Sequence, residues 1–212
     1  MTTPVPFEFL GLGRRFREQI AEADDLCVGT MGTIFTPLAT RADRSRIPRP
    51  ELLQAAKQQW RQMPTIGLLE SKIQLLRRTL HIREVRVGAG TSCDPQNKGD
   101  PEPVIVILLV DLHVAPGTCQ LMIETAALVS LHALGRWYQR AIDSSEAVLY
   151  SDLIRLTEAC GRILDDHAAT GDPNFRCRTA YGQWAGLITR RLSEVTGRQE
   201  WILNVRTFLS NK

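Results

Sequence analysis

His132, Arg136 and Arg140 stand four residues apart within the stretch Ser130-Leu131-His132-Ala133-Leu134-Gly135-Arg136-Trp137-Tyr138-Gln139-Arg140. On an α-helix, at about 100° per residue, the three fall within an arc of roughly 80°, with Gln139 beside them. A guanidinium is a planar fork that fits phosphate oxygens, and an imidazole exchanges a proton near neutral pH. One helical flank would then hold an anion and move a proton beside it. Like charges at this spacing repel, so the flank needs a partner, either a carboxylate of the chain or a ligand. A solvated basic face is the alternative.

The other reactive residue types do not form comparable sets. Five cysteines (Cys27, Cys93, Cys119, Cys160, Cys177) are scattered and never spaced as CxxC, so the sequence supports neither a zinc site nor a disulfide framework. Four histidines (His81, His113, His132, His167) without an HExxH pattern argue against a metal enzyme. No cofactor is expected. Asp165-Asp166-His167 reads as a solvated helix end. His113 is the one candidate for a second proton-transfer group, and a structural histidine suits the end of a buried strand equally well. Trp60, Trp137, Trp184 and Trp201 read as core or interface aromatics.

The net charge is +3, unevenly spread. From Arg41 to Arg86 there are eleven Lys/Arg against four Asp/Glu, an excess of seven positive charges. Such an excess favours a polyanion, because phosphate binding releases counterions; two solvated amphipathic helices would give the same composition. No apolar run is long enough to span a membrane, and the N-terminus lacks the order of a signal peptide. The expectation is a cytoplasmic protein with no membrane partner, delivery into another cell not being excluded.

Two regions are expected to position these groups. Residues 1–80 read as mostly helical: a helix near 12–24, irregular chain at Gly29, Gly32 and Pro37, a basic connector at 41–50, a helix from Glu51 to before Pro64, and another over about 66–79. Residues 81–212 read as an α+β domain. Strands are expected at 82–87 and 104–114, separated by a turn-rich loop over 88–103. Helices are expected at about 120–141 and 145–167, then strands at 175–179, 184–190 and 200–209. In the last strand, strict alternation would put Asn204 and Arg206 on one face and Val205 and Thr207 on the other. The order implies an α+β fold with a mainly antiparallel sheet and a mostly helical N-terminal region.

The succession His132-Ala133, Arg136, Gln139-Arg140, then Gly182…Trp184…Gly186, then Arg206-Thr207 resembles the barnase/EndoU/colicin/RelE-like (BECR) group of ribonuclease toxins, over roughly residues 104–210. The resemblance implies a twisted antiparallel sheet packed by a helical pair, and metal-independent cleavage of RNA by attack of the 2′-hydroxyl on its own phosphate. It would make His132 the general base or acid, with Arg136 and Arg140 stabilising charge on the phosphorane. Thr207 would orient a phosphate oxygen and Arg206 would assist. Arg77, Arg78, Arg176, Arg178 and Gln139 would grip the backbone of RNA (DNA not being excluded). A toxin-like or mobile-element nuclease also implies a neutralising antitoxin or immunity protein. The first ~100 residues have no counterpart in that group, and a non-catalytic nucleic-acid-binding protein would use the same surface.

Overall fold

A computed structural model of the chain describes residues 4–43, 49–92, 101–141, 143–192 and 199–210. Residues 44–48 of the basic connector and residues 93–100 of the turn-rich loop, Cys93 among them, lie outside the described residues.

Helix α1 runs unbroken from Phe7 to Asp43, where the sequence reading expects a break. Its buried residues Phe16, Ile20, Ala23, Cys27, Met31, Ile34 and Leu38 recur every three or four positions. That is a continuous apolar stripe. Gly29, Gly32 and Pro37 all lie on its exposed side. A helical glycine costs about 1 kcal/mol, whereas each large buried side chain contributes roughly 1.5–3 kcal/mol, so the stripe prevails. Helix α2 spans Pro50–Arg61, as its pattern predicts.

The helix expected over 66–79 is instead strand β1, Leu68–Leu75. Ser71, Ile73 and Leu75 lie opposite Glu84, Ile82 and Leu80 of β2 (Leu80–Ser92), while Lys72 and Gln74 between them face the other way. Leu68, Leu69, Ile73, Leu75 and Leu76 fit both periods. The polar residues decide for period two.

Strands β3 (Glu102–Ala115) and β4 (Thr118–Ser130) follow, joined by Pro116-Gly117 with Gly117 at φ 77°. The long helix expected over 120–141 is therefore strand as far as Ser130. Helix α3 begins only at Leu131 and ends at Arg140. Ser130 caps it, its Oγ accepting from the Ala133 amide at 3.1 Å. Leu121–Val129 is apolar almost throughout, a pattern that fits a buried strand as well as a buried helix. Helix α4 (Glu146–Thr170) and strands β5 (Asn174–Arg178), β6 (Gly182–Leu192) and β7 (Gln199–Ser210) form where expected.

The architecture is α+β, with a seven-stranded sheet in the order β1-β2-β3-β4-β7-β6-β5. β1–β2, β5–β6 and β6–β7 pair antiparallel, and β4–β7 parallel. Two compact units interleave along the chain. One comprises Met1–Glu18, Ala89–Ile107 and Thr125–Lys212; the other comprises Gln19–Gly88 and Leu108–Glu124. The second has its own core, in which Cys27, Ile34 and Leu38 of α1 and Leu53 and Trp60 of α2 meet Leu80, Ile82, Leu112 and Val114.

In the first unit, α3 is seated by glycines. A Cβ on Gly135 would meet Val5 at 2.9 Å and Leu10 at 3.2 Å, and one on Gly13 would meet Leu134 at 3.3 Å. Trp137 Nε1 donates to the buried Asp152 carboxylate at 2.9 Å, fixing α3 to α4. The Cys177 thiol lies 3.8 Å from the Arg155 carbonyl, which puts α4 over the sheet face shared by Cys177, Trp184 and Phe208. No helix among the described residues is long and apolar enough to cross a membrane.

Candidate functional site

The parallel pairing of Ala127, Leu128 and Val129 with Leu203, Asn204 and Val205 brings the end of β4, and so the start of α3, beside β7. The Ser130 hydroxyl donates to the Arg206 carbonyl at 3.5 Å. At the far end of α3, Arg140 Nη1 donates to the Phe208 carbonyl. Both ends of the helix are thus tied to the last strand.

The flank predicted from spacing divides by depth. His132 is exposed, Arg140 half-buried, and Arg136 almost wholly buried at 2 % relative exposure. Arg136 Nη1 donates to Gln139 Oε1 at 3.1 Å, so Gln139 is part of the support for this guanidinium. Among the described residues no carboxylate lies within ion-pair distance of Arg136 or Arg140. Partial desolvation holds His132 below the ordinary histidine pKa, with Arg136 and Arg140 adding to the effect and Glu102 opposing it. Desolvation, and then Arg136, also depress Arg140. The imidazole is therefore neutral at pH 7 and able to accept a proton, in a field set by two guanidiniums.

The other predicted residues are distributed differently. β7 carries one extra residue at Arg206: Gly186 of β6 lies opposite Val205, and Ala185 opposite Thr207. This bulge overturns strict alternation. Thr207 shares a sheet face with Asn204, opposite the one that holds Val205 and Phe208 beneath the helices. Thr207 is therefore not brought to α3, and Arg206, exposed on the bulge, meets it through its backbone carbonyl. Gly182 and Gly186 have a packing reason. A Cβ on either would press into β7 backbone, the Leu209 carbonyl at 2.2 Å and the Asn204 carbonyl at 2.0 Å respectively.

Arg176 and Arg178 are exposed on the edge strand β5, opposite Ala185 and Gln183. Arg77 and Arg78 lie in the β1–β2 turn of the other compact unit, and His113 in β3 belongs to that unit as well; the second histidine of α3's own unit is His167 near the end of α4, whose Nδ1 lies 2.8 Å from the Asp172 carbonyl. His113 packs edge-on to His81 at 5.8 Å, and His81 Nε2 lies 3.1 Å from Asp111 Oδ1. Arg83 completes that group through Asp111 at 3.0 Å. Burial would raise the Asp111 pKa, but the hydrogen bonds from His81 and Arg83 outweigh it and hold the carboxyl low.

One charged group was missed altogether. Leu80, Ile82, Glu84 and Arg86 share the core side of β2, so a carboxylate and a guanidinium point inward. Arg86 Nε donates to Glu84 Oε2 at 2.6 Å, and Arg86 Nη1 to the Pro64 carbonyl at 3.2 Å and Cys27 Sγ at 3.3 Å. The Ser71 hydroxyl donates to Glu84 Oε1 at 2.8 Å. The signal was the i, i+2 spacing of opposite charges continuing the apolar positions 80 and 82.

No family model matches the chain, and neither the curated proteins nor the solved structures contain a significant match to it. The likeness to the BECR group therefore stands on the quoted residues alone.

Proposed function

We propose that the protein binds RNA through its phosphate backbone along the exposed edge of α3, with His132 and Arg140 at the contact. The carrying observation is the positive charge of Arg136 and Arg140, placed in and beside a packed interior with no carboxylate among the described residues within ion-pair distance of either. A buried charge is costly unless compensated, and a phosphate at the helix surface supplies the missing negative charge. Arg136 acts from beneath, through its field, while Arg140 presents its fork. One of that fork's five N–H donors is spent on the Phe208 carbonyl, which fixes its orientation. RNA phosphate is the ligand because the flank has guanidinium and imidazole donors and no apolar anchor of the kind a protein partner needs.

A second reading, metal-independent cleavage of the bound RNA, is favoured by the depressed pKa of His132. A neutral imidazole beside two guanidiniums is suited to take the proton of a ribose 2′-hydroxyl. Thr207, on the other sheet face, has no part in this version of the step.

A 5′-labelled single-stranded RNA, incubated with the protein in EDTA and followed by both gel mobility and product analysis, tests the two together. Salt-sensitive retardation, weakened by Arg140→Ala, is expected for binding. Cleavage that disappears in His132→Ala while retardation persists would establish the second reading. RNA that runs free at every salt concentration would overturn both.

A further inference from the structure

We infer that a groove between α4 and β5 is a second phosphate-backbone site, which takes one strand of RNA without regard to sequence. The proposal rests on the reading of the chain as an RNA-binding protein, but uses none of the α3 residues. The groove has a volume of about 960 Å³, and four arginines line it: Arg155 and Arg162 from the helix, Arg176 and Arg178 from the strand. All four are exposed. Glu158 and Asp166 are the opposing acids, leaving an excess of two positive charges.

Local pairing does not neutralise the row. Arg162 has Glu158 four residues before it and Asp166 four residues after, the spacing at which helical ion pairs form. Even so, among the described residues none of the four arginines makes an ion pair. Arg155 and Arg162 of α4 flank Ala159, Ile163 and Cys177 in the groove, and Arg176 and Arg178, which alternate with Cys177 along β5, line its outer edge.

The dimensions suit a single strand. Arg155 and Arg162 are seven residues apart on α4, about 10.5 Å along the axis, and Arg176 and Arg178 about 6.6 Å apart along β5. A nucleic-acid strand rises about 3.4 Å per nucleotide, so the arginines cover some two to three nucleotides. β5 is the edge of the sheet, so the strand can enter from the open side. An acidic protein is the poorer occupant. Protein interfaces depend on an aromatic or aliphatic anchor in a pocket, and the apolar residues here form a floor without one.

The test is fluorescence anisotropy of a labelled 12-nucleotide oligouridine, measured across a salt series with four proteins: wild type, Arg155→Ala/Arg162→Ala, Arg155→Lys/Arg162→Lys and Arg140→Ala. Removing two phosphate contacts should reduce the slope of log K against log salt by about 1.4, taking ~0.7 per contact for single strands. The lysine variant should restore the slope. These side chains are exposed, so the circular dichroism melt should not move; a parallel melt keeps loss of binding distinct from loss of fold. A slope unchanged in the alanine variant, while Arg140→Ala weakens binding, would overturn the groove and leave the α3 reading standing. A slope reduced only in the groove variant would retain the groove and sink the α3 contact. Binding of poly-glutamate in preference to the RNA, lost in the alanine variant, would overturn the nucleic-acid assignment of the groove.

Discussion

Arg86 and Arg136 are both nearly inaccessible, at 5 % and 2 % relative exposure, and both reach their places from regular secondary structure. Arg86 meets a carboxylate at 2.6 Å and two further acceptors, while among the described residues the side-chain acceptor bonded to Arg136 is a neutral amide at 3.1 Å. In one unit the positive charge is cancelled where it sits, by a carboxylate that is itself buried. In the other it stands beside the further positive charge of Arg140 and a histidine whose pKa the two guanidiniums help to depress. Burial of an arginine therefore does not by itself mark a site; the missing counter-charge does. The Glu84–Arg86 group is an element of the core, whereas the α3 flank is the place where we propose that an anion binds.

The contrast predicts opposite responses to deletion, the largest being in the closed cluster. Glu84→Ala leaves Arg86 buried and unpaired, which should destabilise the protein by about 3–5 kcal/mol in denaturant unfolding. Replacing both partners by apolar residues, Glu84→Leu with Arg86→Met, should recover most of that loss. A single substitution that costs nothing would show that the pair is not buried in solution. A smaller effect is expected at α3. Arg136→Met removes a charge with no counter-charge, so stability should be unchanged or raised by up to about 1 kcal/mol, while RNA affinity falls. Marked destabilisation would mean that Arg136 has a compensating partner, and would erase the comparison.

The weakest effect is on the pH profile. The folded pKa of His132 lies below its unfolded value, so folded His132 binds protons less readily than the unfolded chain. Its contribution to stability is present above the unfolded pKa and lost as pH falls through the folded one. Arg136→Met removes one of the causes, raises the His132 pKa towards the ordinary value, and should flatten this acid limb.

The legibility of these features in the sequence follows from how many physical signals agreed at each. Helical spacing placed His132, Arg136 and Arg140 on one flank, and that flank forms; their depth was not legible, because burial of Arg136 is set by tertiary packing and not by its spacing on α3. The strand character of β1 was present in Ser71-Lys72-Ile73-Gln74-Leu75, but its leucines also fit a helix. β4 is apolar over Ala126–Val129 and gave no period at all; the cap at Ser130 marked the true boundary. The bulge at Arg206, which separates Thr207 from α3, has no residue-level signature in β7 itself. Gly186 on the neighbouring strand is its nearest trace. That Glu84 and Arg86 point inward was legible only through their alternation with Leu80 and Ile82, a local signal that the charges of both residues obscured.

The most direct test of the uncompensated flank is a pH titration of the four histidines by NMR of the ¹³C-labelled ring, with and without single-stranded RNA. A phosphate at α3 favours the charged imidazole, so bound RNA should raise the His132 pKa from its depressed value and leave His81 and His113 of the other unit unmoved. A His132 titration curve indifferent to saturating RNA would contradict the account.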